Sequence, residues 1–95
     1  MHKSLLLLKR IPKNRVTTYA ILAKLCKTSP RAIGRIMANN FDLINCPCYK
    51  VVGSDGKLTG YSGKGGLEAK RNLLERDGIV IINGKIEKKY FYEFK

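Results

Sequence analysis

Short apolar stripes broken by proline and polar turns divide this chain into four helical segments and a β-rich end. Residues 3–10, with the run Leu5-Leu6-Leu7-Leu8, predict a short amphipathic helix. The turn Ile11-Pro12-Lys13-Asn14 ends it, because proline disfavours helical backbone in the residue before it. Thr18 is placed to cap a second helix, Tyr19 to Lys27, along which Ile21, Leu22 and Leu25 form one apolar stripe. Ser29 and Pro30, a capping residue followed by a proline at the first helical position, open a third helix from Pro30 to about Ala38, with Ile33, Ile36 and Met37 facing the core. Two such helices joined by a tight turn, the second carrying Arg31 and Arg35 near its start, suggest a helix-turn-helix unit.

The helical period vanishes from Asn39 to Tyr61. Within that stretch Tyr49-Lys50-Val51-Val52 reads as a strand or extended turn, and Gly53-Ser54-Asp55-Gly56 reverses the chain. Six of the nine glycines lie between Gly53 and Gly66, marking a loop that bends tightly or lets another group approach. A phosphate-loop reading fails, since no glycine-lysine pair here is followed by Ser or Thr at Walker spacing. Gly66 to Arg76 predicts a fourth helix through Leu67, Lys70, Leu73 and Leu74, and Ile79-Val80-Ile81-Ile82 with Asn83-Gly84 announces a hairpin before a basic, Tyr- and Phe-bearing tail. No repeat or dividing linker interrupts this order. The expectation is one domain over residues 1–95, mainly α with short β hairpins, of the helix-turn-helix, winged-helix-like kind that binds DNA.

Charge narrows the function. With 19 Lys plus Arg against 7 Asp plus Glu in 95 residues, the net charge is +12 at pH 7, which calls for a polyanionic partner. The Leu5–Leu8 run is far too short to span a bilayer, and Lys9-Arg10 follow it too closely for a signal peptide, so no membrane role and a cytoplasmic location, or one with the DNA, are expected. Cys26, Cys46 and Cys48 make an odd number, arguing against a disulfide framework. A lone His2 near the terminus leaves too few ligands for a structural zinc site, and no cofactor is expected.

One stretch is more specific. Asn45-Cys46-Pro47-Cys48-Tyr49-Lys50-Val51-Val52-Gly53 is followed by a Ser54-Asp55-Gly56-Lys57-Leu58 turn, by Gly60-Tyr61-Ser62-Gly63, and by Leu67-x-x-Lys70-x-x-Leu73-Leu74-Glu75. In order and spacing these resemble the C-terminal domain of the O6-alkylguanine-DNA alkyltransferases. Ile11-Pro12, Val16-Thr17-Thr18-Tyr19, Arg31-Ala32-Ile33-Gly34 and Asn40 fit the same family's helix-turn-helix region, so the resemblance covers about residues 10–78, leaving 79–95 as hairpin and tail.

The resemblance implies that double-stranded DNA is the partner of a monomer, and that an alkylated base, O6-alkylguanine or O4-alkylthymine, is flipped out and gives its alkyl group irreversibly to Cys48. A thiolate is a strong nucleophile toward a polarised alkyl carbon, and flipping exposes that carbon. By position, Arg31 corresponds to the finger that replaces the flipped base, Tyr19 to the tyrosine that crowds the phosphate, and Ala32 and Gly34 to small residues permitting close minor-groove approach. Tyr61 and Ser62 correspond to the pair that holds the base edge, Asn40 to the brace beside the active site, and Lys70 to a lysine that tethers the loop or orients the site. Taken alone, Arg31 also reads as a phosphate contact, Tyr19 as packing, Lys70 as a solvated lysine, and Cys46 and Cys26 as core fillers.

The family's pattern has His-Arg after the nucleophile and a glutamate that orients the His. Here those places hold Tyr49, Lys50 and Asp77. A tyrosine, with a reference pKa near 10, is no neutral-pH base, though its hydroxyl could relay a proton or bind a thiolate. Asp77 is one methylene shorter than glutamate, so its reach to residue 49 is expected to need a shifted helix or a water, and Lys50 is a candidate for lowering the thiol's pKa. Phe41 stands for the family's proline, Lys64-Gly65 are extra, and the N-terminal domain of the two-domain proteins is missing. Three functions compete: alkyl transfer to Cys48, lesion binding without transfer, and ordinary helix-turn-helix regulation.

Overall fold

The computed structural model describes residues 2–40, 42, 45–58 and 65–94. Helix α1 spans Lys3–Leu8, and after a turn the short strand β1, Thr17–Thr18, leads directly into α2, Tyr19–Cys26. Thr18 Oγ1 accepts from the Ile21 amide at 3.0 Å, the expected cap. Lys27 ends the helix in the left-handed region (φ 56°), and Ser29 Oγ accepts from the Ala32 amide at 3.1 Å to start α3, Pro30–Ala38. The helix pair therefore forms for the local reasons read from the sequence.

The buried face of α2 differs from the predicted stripe. Leu22 and Ala23 are buried and Tyr19 and Cys26 pack beside them, whereas Leu25 is 37% exposed. Residues 19, 22, 23 and 26 share one side of a helix, and that side meets α1 and α3. In α3, Ile33 and Met37 are buried and Ile36 packs at their edge, as expected.

A 3₁₀ turn over Cys48–Lys50 runs into β2, Val51–Val52. The expected strand therefore begins two residues late, and it is not part of a hairpin: β2 pairs in parallel with β1, Thr17 against Val51 and Thr18 against Val52. The 3₁₀ period of three places Cys48 and Val51 on one side and Tyr49 and Val52 on the other. Cys48 and Val51 enter the helical core with Leu8, Leu22 and Ile33, while Tyr49 and Val52 enter a second core with Val16, Leu74, Ile79 and Ile86. The segment carrying the candidate nucleophile is thus the seam between two cores.

Helix α4, Gly66–Arg76, covers the second core and ends at Asp77 and Gly78 (φ 87°). The predicted hairpin is present as β3, Ile81–Ile82, antiparallel to β4, Lys85–Ile86, around Asn83 and Gly84, both at positive φ. The tail returns to the other side of β1: the Val16 amide donates to Tyr90 O and the Tyr92 amide to Val16 O, each at 2.8 Å. Tyr92 and Phe94 meet edge to face at 4.9 Å beside the helical core, with the Arg10 guanidinium over Phe94. No helix among the described residues is long and apolar enough to cross a membrane.

Candidate functional site

Cys48 is 5% exposed and begins the 3₁₀ turn, its amide donating to Cys46 O at 2.8 Å. The chain before it is held by side chains. Asn40, buried at the end of α3, donates from Nδ2 to Cys46 O at 2.7 Å and accepts from the Asp42 amide at 3.0 Å. Asp42 in turn accepts from the amide and side chain of Asn45, each at 3.1 Å. Asn40 thus occupies the bracing position expected of it, and Cys46 is fully buried beneath.

On the other side of the seam the Tyr49 hydroxyl donates to Asp77 Oδ2 in a short, buried, direct hydrogen bond. Neither a shifted helix nor a water is needed, which corrects the expectation: the phenol reaches further than an imidazole and makes up for the shorter carboxylate arm. Burial first, then the Asp77 carboxylate, push the Tyr49 hydroxyl up to about 12, with the Arg76 guanidinium pulling the other way. Arg76 Nε lies 3.7 Å from Asp77 Oδ1. At neutral pH this phenol keeps its proton and commits it to Asp77, so it is not available to take one from a thiol.

Lys50, expected at the DNA surface or as an activating charge, is turned inward. It is 7% exposed, and its ammonium donates to Ile11 O at 2.9 Å and Pro12 O at 3.2 Å, tying the 3₁₀ turn to the end of the first helical segment. Burial lowers its pKa, and the Asp77 charge partly restores it.

Lys70 is the more unusual cation. Its side chain is fully buried, and Nζ donates to Val51 O at 2.5 Å. Burial pulls its ammonium down to about 8, opposed by the charge of a Cys48 thiolate. The sequence held one signal of this: Lys70 falls in the apolar stripe of α4, between Leu67 and Leu74, where a solvated lysine does not belong.

Tyr19 and Arg31 line one open groove of about 390 Å³ with Ala20, Pro30, Gly34 and Ser54. Arg31 is exposed on this face, Tyr19 half-buried, and a Cβ added at Gly34 meets nothing within 4 Å. Ala32 is half-buried, and its amide belongs to the Ser29 cap. Ser54 was not singled out from the sequence, since a serine in a Gly-rich turn has no distinguishing pattern. Cys48 does not line this groove. The expected contacts of Tyr61 and Ser62, like Phe41 and Lys64, lie outside the described residues. Among the described residues no cluster of three His, Cys, Asp or Glu side chains could hold a metal.

Comparison with known proteins bears on the same segments. Residues 2–79 match the family described as 6-O-methylguanine DNA methyltransferase, DNA binding domain. A methylated-DNA--protein-cysteine methyltransferase of Pyrobaculum aerophilum is 46% identical over 78 residues, 82% of this chain and 51% of that protein. A bifunctional methyltransferase/endonuclease of Picrophilus torridus is 45% identical over 87 residues, 90% of this chain and 28% of that protein. The chain therefore spans half or less of the length of these curated relatives. The fold alone is shared, at 21% identity and a TM-score of 0.83 covering 96% of this chain and 92% of the other, with an S. pombe protein solved in complex with damaged DNA containing O6-carboxymethylguanine. Since the family match runs unbroken from α1 through the cysteine turn to the end of α4, the chain belongs to the 6-O-methylguanine DNA methyltransferase family, as its DNA-binding domain.

Proposed function

We propose that the chain is a stoichiometric DNA alkyltransferase in which Cys48 takes the alkyl group from O6-alkylguanine flipped out of duplex DNA. The observation that carries this reading is the placement of Cys48 on a 3₁₀ turn braced by Asn40 on one side and bordered by the buried Lys70 on the other. A nucleophile held rigidly, with a cation beside it, suits displacement at carbon. The Tyr19–Arg31 groove supports docking of the helix pair on DNA, with Arg31 filling the space left by the flipped base. The name of the Pyrobaculum relative agrees with the same chemistry. Once a thioether has formed on Cys48 the protein is spent, because that bond is stable.

The closed Tyr49–Asp77 hydrogen bond favours a second reading, in which the domain binds alkylated DNA and flags it without taking the alkyl group. Incubation with duplex DNA containing O6-methylguanine, followed by intact and peptide mass spectrometry, separates the two. The expected result is one methyl group on Cys48 and unmodified guanine in the DNA. Tight, lesion-selective binding with an unmodified Cys48 at saturating DNA would establish the second reading, and equal affinity for damaged and undamaged duplex at matched salt would reduce the chain to an ordinary DNA-binding module.

A further inference from the structure

We propose that Lys70 is the proton partner of Cys48, taking over the task that a histidine performs elsewhere in the family. This rests on the alkyl-transfer reading above and adds to it the identity of the group that moves the proton. The geometry leaves few alternatives. Among the described residues the buried charged side chains are Lys50, Lys70 and Asp77. Lys50 is bound to the carbonyls of Ile11 and Pro12, and Asp77 is engaged by the Tyr49 hydroxyl and by Arg76. Tyr49, the side chain next to the nucleophile, holds its own proton against Asp77 on the far side of the seam.

Lys70 projects from α4 under the segment that follows the cysteine turn, anchored through Val51 O, and the charge that acts on it comes from Cys48. An ammonium has three protons, so the anchor leaves two directions for exchange. Its burial also brings its titration down to about 8, close enough to neutral pH for a fraction of the amine to be free.

The transfer balances as follows. The neutral Lys70 amine removes the Cys48 S–H proton, leaving thiolate beside ammonium. The sulfur attacks the alkyl carbon, a C–S bond forms, the C–O6 bond breaks, and its electron pair stays with the guanine. The ammonium returns the proton to the departing base, so Lys70 ends as it began and only Cys48 is changed.

Three measurements test this. In single-turnover transfer from O6-methylguanine duplex, Lys70→Ala is expected to lose about 100-fold in rate, with ethylamine restoring part of it and Lys70→Arg restoring none, because a guanidinium does not release its proton. Recovery of the rate by Lys70→Arg would overturn the proposal by showing that positive charge alone suffices. Independently of how those variants fold, the Lys70 Nζ titration followed by NMR is expected to move to lower pH in Cys48→Ser, and an unmoved titration overturns the pairing. Alkylation of Cys48 by iodoacetamide needs no DNA: if it slows in Lys70→Ala while the parent protein never accepts methyl from DNA, the pairing stands and the alkyl-transfer reading falls.

Discussion

At position 49 a phenol donates into Asp77, and at position 70 an ammonium donates into a backbone carbonyl; both polar groups lie inside the seam, but burial acts on them with opposite sign. It favours the neutral form of each, which for tyrosine is the protonated form and for lysine the free amine. The motif around Cys48 made the acceptor position legible from the sequence, and Asn40 was legible as its brace. That Asp77 meets Tyr49 directly was not, because the outcome depends on the combined length of two side chains from elements 28 residues apart. Arg31 belongs to a different part of the surface, and its effect separates from the chemistry. Replacing it with Ala is expected to slow methyl transfer from duplex DNA by about 10- to 100-fold, the scale of losing a few kcal/mol of help in unstacking a base, while leaving the iodoacetamide reaction of Cys48 unchanged. Paired rate measurements with the two electrophiles check this, and equal loss in both would mean that Arg31 acts on the fold.

At the scale of elements, the helix pair followed from local rules: Thr18 and Ser29 cap, Pro30 starts, and Lys27 closes the preceding helix. The hairpin at Asn83-Gly84 followed from turn chemistry. The face of α2 and the parallel pairing of β1 with β2 did not, since each depends on what lies across the core. One glycine joins these elements. Gly56 accepts from the Ile86 amide at 2.8 Å, linking the turn after β2 to the C-terminal hairpin, and a Cβ there would fall 2.0 Å from Ile86 O at φ 86°. Gly56→Ala is expected to cost about 3 kcal/mol, from backbone strain together with overpacking. Urea unfolding checks it, and a loss below about 0.5 kcal/mol, the range of ordinary surface changes, would show that the hairpin simply shifts away.

The whole molecule carries its titrations into its stability. Lys70 titrates near 8 when folded against 10.5 as a free side chain, so the folded state binds fewer protons between those values and its stabilising contribution grows as pH rises through that window. Lys50 acts in the same direction. Tyr49 is raised from 10.0 to about 12, so its contribution is complete below pH 10 and is lost as pH climbs toward 12. Stability is therefore expected to rise by about 3 kcal/mol from neutral pH to near pH 10 and then fall, with most of the rise absent in Lys70→Met. Urea unfolding across that range measures it, and a flat parent profile contradicts the burial of a titrating lysine. By itself the sequence determined the helix pair, the hairpin, the basic surface and the acceptor cysteine, because caps, turns, charge and a contiguous motif act over a few residues. Only the tertiary structure decided how the residues around that cysteine divide their work. Tyr49 and Lys50 are adjacent to Cys48 in the chain yet committed elsewhere, while Lys70, 22 residues away, comes to lie beside it, since contact between buried groups is set by how helix and turn pack and not by their separation along the chain.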